Sequence, residues 1–514
     1  MALLIRNGRM PQIKLRPTQF EQGRSITVPA PYGGLNLRDD ITALKMNEAR
    51  VLENWFPSDG QLSLRPGYEN WATGSGTGEV KTLAGFVGAS SSKLVSTGAG
   101  KLWNVTSTGA AVQLATGFTE DRWQTETYNG RLILVNGTNA PQSYDGATVV
   151  PAGFTGTGLT ATNLINVALI RNRLWFCEAN SADVWYGGIG SITGSLTKFQ
   201  LSQVARGGYL MAAGSWSRDE GDGSDDFTVF VMSTGEIIIY QGDPSTTFAL
   251  VGKYSGAPPI GRRCMFKVGG ELVVITRLGL LPASAAVSGV NLDLSRIDPW
   301  GKIAPAIVDD MALHGGKAGW HGVLHEGLVY VNVPLTAGSL SKVYVLNTRN
   351  GAWTLYRGWN ASSFCSFGNE LYFGSQAAGK VHVVGGNGDA ATDISAIAIG
   401  AFVTPSNTFQ TNLFTAIRPK IEAQGNISGR IGVTTDFVVK SLNTPVVSLF
   451  DDNTGTPWGS PWGSPWGSIS DASATWFSTQ GSGRSVAVAF AAIGQSQDFR
   501  WFASDLLFKP GGIK

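Results

Sequence analysis

Four histidines, His314, His321, His325 and His382, are the first candidates for acid–base or metal chemistry. His321 and His325 share a face of a strand or a helix, but Gly322-Val323-Leu324 stands between them, without the Glu that a helical zinc-protease motif needs. Gly374-Ser375-Gln376-Ala377-Ala378-Gly379-Lys380 has the spacing of a phosphate loop. Val381 follows where Ser or Thr would hold magnesium, and the next element reads as a strand, not a helix whose N-terminus could cradle phosphate. A tight turn between strands is the expectation. The stretch from Asp219 and Glu220 through Asp222 to Asp225 and Asp226 supplies the hard oxygens that calcium prefers, yet lacks the ligand order and terminal Glu of an EF-hand, so a solvated or partner-facing loop is expected. No Gly-x-Ser-x-Gly elbow is present. No catalytic, cofactor-binding or metal-ligating residue is assigned, and the chain is read as a non-enzyme.

Cys177, Cys264 and Cys365 lie far apart, with neither paired zinc spacing nor an even count, and read as buried reduced thiols. With the short apolar start and the absence of a membrane-length apolar run, this places synthesis in a cytoplasm without a membrane anchor. Of 514 residues only 15% are charged and 67 are glycine, which argues against long charged helices. The balance of 39 Lys and Arg against 37 Asp and Glu leaves +2, too little for a surface that grips nucleic acid by neutralising phosphates.

The elements that would position any site are strands. From about residue 80 to 392, short runs such as Arg131-Leu132-Ile133-Leu134-Val135 and Glu271-Leu272-Val273-Val274-Ile275 recur between turns. Their spacing averages roughly 46 residues, the period of a propeller blade. The expected fold is all-β: a β-propeller of six or seven blades over 76–392, with an extended N-terminal arm and a C-terminal β-sandwich domain. A string of β-sandwiches is the rival architecture. Residues 1–75 read as a basic, proline-punctuated arm that clasps a neighbour or adaptor, followed by a short helix in which Asn47 caps, Val51, Leu52 and Trp55 share a face, and Pro57 stops the run. Residues 393–514 read as the β-sandwich, interrupted by three Pro-Trp-Gly-Ser units from Pro457, Pro461 and Pro465 that form a loop.

Three stretches then look familiar together. They are Pro31-Tyr32-Gly33-Gly34-Leu35-Asn36 through Val51–Pro57 to Leu64-Arg65-Pro66-Gly67; Asp225-Asp226 through Gly235-Glu236 and Tyr240-Gln241-Gly242 to Pro259-Ile260-Gly261-Arg262-Arg263-Cys264; and Phe499–Leu507 with Pro510-Gly511-Gly512. The chain resembles the tail nozzle, or tail hub, proteins of short-tailed bacteriophages over almost its whole length. The resemblance implies a virion structural protein: a propeller with an added β-domain, six copies of which form a ring (a homohexamer) below the head-to-tail adaptor. The ring would carry tail fibres or a tail needle and enclose the channel for genome ejection, with double-stranded DNA passing through without specific binding. The Pro-Trp-Gly-Ser units are no part of this resemblance.

Near-neutral charge is compatible with a conduit, since each cation paired to phosphate adds affinity that would brake passage. The alternative is a carbohydrate-binding or polysaccharide-degrading β-propeller, because exposed tryptophans stack on sugars. Against it, the Ser-x-Asp-x-Gly-x-x-Trp turns of propeller sialidases have only Asn350-Gly351-Ala352-Trp353 as their nearest approach.

Overall fold

The computed structural model describes residues 23–219, 224–288, 293–406, 410–423, 428–440, 442, 447–448, 475–495 and 499–513. The chain is all-β. Its α-helices among the described residues are Ala283–Val287 and Ala304–His314, and no described helix is long and apolar enough to cross a membrane. The first 22 residues of the expected arm, the Pro-Trp-Gly-Ser units and the centre of the acidic stretch, 220–223, lie outside the described residues.

Seven antiparallel units follow one another from Thr82 to Val384. Four of them are simple four-stranded sheets; the second, for example, runs Gln124–Tyr128, Arg131–Val135, Gln142–Tyr144, Val149–Pro151. The first strands of the others are Thr82–Val87, Leu164–Ile170, Leu210–Asp219, Met265–Val268, His321–His325 and Ala361–Phe367. Each unit touches the next, and Ala361–Phe367 of the seventh touches Thr82–Val87 of the first, so the contacts close into a cycle. The seventh unit is completed from far upstream: Tyr68–Thr73 pairs antiparallel with Val381–Val384. Second strands such as Arg131–Val135 and Glu271–Thr276 are buried at every position after the first, because neighbouring units cover both faces. Outer strands such as Phe248–Ser255 are largely exposed. Several hairpins turn on two left-handed residues, as at Asn129-Gly130, Glu326-Gly327 and Gly368-Asn369, which matches the twist of the strands they join.

A second β unit stands beside this cycle. One sheet holds Trp55–Ser58, Gln61–Leu64, Arg500–Ile513, Gln410–Glu422 and Phe477–Gly483, with Arg24–Pro29 along Arg500–Ile513. The facing sheet holds Glu48–Glu53, Ile394–Gly400, Val486–Gly494 and Ser428–Thr435, and reaches the sixth unit through Glu53 and Leu355. Leu52, Trp55, Phe414, Ile431, Phe490 and Trp501 are buried in the core.

Two expectations are corrected here. Residues 47–57 hold no helix: Glu48–Glu53 and Trp55–Ser58 are strands, and Asn54 at φ 58° turns the chain between the two sheets. Pairing with Ile394–Gly400 overrides the local spacing of Val51, Leu52 and Trp55. From Arg24 onward the region expected as an arm is woven into sheets of both β units, so it belongs to their cores.

Candidate functional site

The first strands of all seven units line one central cavity of about 360 Å³, with Thr82, Gln124, Asn166, Gly214, Lys267, His321 and Ser363 each contributed by a different unit. The wall is polar where it carries charge. Burial pushes the Glu126 carboxyl above its usual range, opposed by the Leu169 N–H and the charge of Lys267. Lys267 Nζ donates to Ser215 Oγ at 2.6 Å. His321 is fully used: Nδ1 faces Gly319 O at 2.8 Å, and Nε2 accepts the Phe364 N–H at 3.0 Å. Burial, and then the positive charge of Arg263, hold it down to about 3, so it stays neutral.

A second space of about 360 Å³ forms the mouth and shares Gln124, Arg262 and Arg263 with the first. Arg263 is half-buried and lines both spaces; burial, then Arg122, bring it down to about 9. It donates to Lys81 O at 3.0 Å, Thr82 Oγ1 at 2.8 Å and Trp123 O at 2.6 Å.

The residues singled out in the sequence are not brought together. His321 and His325 lie on one strand face, but four residues of strand span about 13 Å, too far for one metal. His325 Nδ1 instead meets Ser366 Oγ at 2.9 Å. Gly374 to Lys380 is a hairpin between Glu370–Ser375 and Val381–Val384, with Ala378 and Gly379 at positive φ. Asp225 and Asp226 are strand residues paired in register with Arg218 and Ser217. Trp353 is buried, its Nε1 donating to Pro299 O at 2.9 Å. Cys177 and Cys264 are buried free thiols, Cys365 is half-buried, and burial pushes Cys264 and Cys365 up to about 12.

The first and last of the familiar stretches fall on joints, whereas Arg262 and Arg263 of the second line the cavities. Arg65 is buried and binds Asp389 with both terminal nitrogens at 2.8 and 2.6 Å, Asn54 Oδ1 at 2.9 Å and Arg357 O at 2.8 Å. Its guanidinium lies over Tyr356 and Trp359. Gly34, at φ +86°, lets the backbone pass where a Cβ would stand 2.7 Å from Trp353 N. Trp55 packs on Phe499 and Trp501, joining the first stretch to the last. Glu126, Lys267 and Asn166, which shape the cavity, come from three units and carry no local sequence signal.

No family model and no curated protein matches the chain. Among solved structures it is similar to the extracellular domain of a one-component system from B. thetaiotaomicron, at 11% identity over 74% of this chain and 48% of that one, TM-score 0.40. It is similar also to PorZ, a surface component of the type-IX secretion system of Porphyromonas gingivalis, at 9% identity over 67% and 44%, TM-score 0.37. Raptor from Chaetomium thermophilum aligns at 10% identity over 62% and 29%, TM-score 0.35. The chain thus spans less than half the length of each, and likeness at this level carries no function across.

Proposed function

We propose that the chain is the subunit of the tail nozzle of a short-tailed bacteriophage: a seven-bladed β-propeller with an added β-domain, six copies of which ring the channel for the genome below the head-to-tail adaptor. The observation that carries this reading is where the nozzle-like stretches lie. Arg65 ties strands of the two β units together through Asp389 and Arg357, Gly34 lets its strand pass against Trp353, and Trp55, Phe499 and Trp501 pack on Phe490 of the facing sheet. Residues placed this way make a stiff building block, which suits the wall of a conduit. The closed cycle of seven unit contacts, completed by Tyr68–Thr73, supports the propeller within it.

In this reading the chain makes and breaks no bond. A cavity of about 360 Å³ has the calibre of a small molecule, so a duplex passes between copies and not through one. Heterologous contacts around a closed rotation then form the lumen, and the net charge of +2 leaves it weakly attractive to phosphates. The test is electron microscopy of the purified chain, alone and with the adaptor. A sixfold annulus that caps the adaptor is expected. A monomer that releases oligosaccharides from host envelope material would replace this reading with the carbohydrate-active one.

A further inference from the structure

The mouth of the central cavity holds more positive charge than its own carboxylates offset. Arg122, Arg262, Arg263 and Lys317 line it, with Glu120 as the one acidic group in its wall among the described residues. Glu120 is already engaged, 3.3 Å from Lys81 Nζ and accepting the Arg122 backbone N–H at 2.9 Å. Glu79, behind the wall, takes Arg122 Nη2 at 2.8 Å and the Ser362 hydroxyl. The other terminal nitrogen, Arg122 Nη1, is buried without a hydrogen-bond partner. Among the described residues Arg262 and Arg263 make no ion pair; Arg262 Nη1 donates to Asn136 O at 2.7 Å, and Arg263 to two carbonyls and a hydroxyl. Lys317 Nζ donates to Leu335 O and meets His314 Nδ1 at 2.9 Å, which leaves one of its three protons free.

Guanidinium forks match the paired oxygens of carboxylate and phosphate; Arg262 is exposed at the rim, and half-buried Arg263 behind it carries no counter-charge among the described residues. We propose that this mouth is a binding site for a small oxyanion, phosphate or carboxylate, held by Arg262 and Lys317, with Arg122 and Arg263 adding charge from behind. The site is independent of the nozzle reading. It faces the cavity and requires no second copy of the chain.

The full chain is titrated with sodium phosphate and, separately, with citrate, against sodium chloride at matched ionic strength, by calorimetry and by thermal unfolding. Saturable binding of one anion per chain with a rise in Tm, absent in chloride, is expected. Response to phosphate alone or citrate alone identifies which oxyanion the site takes. Arg262→Gln and Lys317→Gln should each weaken binding about tenfold with little change of Tm in chloride, whereas Arg296→Gln, at an exposed arginine outside the mouth, should not. An equal response to chloride overturns the proposal, as does undiminished binding by both mouth variants.

Discussion

Arg65 and Arg263 are both cations set deep in β structure, and they are treated in opposite ways. Arg65 at the joint of the two β units has a bidentate carboxylate, an amide oxygen, backbone carbonyls and two aromatic faces. Arg263 in the central cavity has two carbonyls and one hydroxyl, no carboxylate, and open space beside it. The difference separates a charge that is consumed by the fold from one that is left available. A saturated ion pair inside a joint fixes geometry, while an unsaturated cation facing a cavity keeps a field that a ligand can use.

Breaking the joint should have the largest effect. Arg65→Met leaves Asp389 with its main counter-charge gone, and denaturant unfolding should report a loss of about 3–5 kcal/mol. Should Arg65→Met cost no more than Arg263→Met, the contrast between the two sites fails. Arg263→Met removes a cation that lacks a carboxylate partner but orphans its acceptors, so roughly 1–2 kcal/mol is expected by the same measurement.

A second saturated site sharpens the comparison through pH. Burial raises the Asp505 carboxyl, but hydrogen bonds from Thr27, Arg418 and Lys420 outweigh it and hold the group down to about 2. Because the folded value lies below the unfolded one of about 3.9, the contribution is present at neutral pH and is lost as pH falls through that window toward 2. Asp505→Asn should remove on the order of 2 kcal/mol at pH 7 and flatten the acid limb of the stability profile between pH 5 and 2; an unchanged limb would place the pairing energy elsewhere. The smallest effect belongs to a pair in solvent: Arg296→Gln, which ends its contact with Asp293, should leave the denaturant midpoint unchanged within error.

Much of the strand framework was legible because burial on both faces writes itself as unbroken apolar runs, as in Leu132–Val135 and Leu272–Ile275. The turns between those runs are equally local, as the left-handed pairs Asn129-Gly130 and Glu326-Gly327 show. Residues 47–57 misled because Val51, Leu52 and Trp55 satisfy a helical face locally, while the strand partner, Ile394–Gly400, is distant in sequence. Helix Ala304–His314 follows the three-stranded fifth unit and was not anticipated from the strand period. The cavity was largely illegible. Arg262 and Arg263 stood inside a familiar stretch, but Arg122 pairs with Glu79 across 43 positions, and Asp389 reaches Arg65 across 324. Side chains that converge from separate strands leave no spacing to read.

The suture of Tyr68–Thr73 to Val381–Val384 has a consequence for biosynthesis. An early segment must wait through about 300 residues of translation before its partner strand emerges, while the intervening sheets form one by one at the ribosome. Until then Tyr68–Thr73 lacks that partner and presents a strand edge open to the wrong chain at the crowded concentrations of a cell. The last stitch therefore governs both when the molecule becomes safe from aggregation and where a nick would be most damaging: cleavage in the short linker between Thr73 and Thr82 would leave the closing strand attached to the wheel by pairing alone.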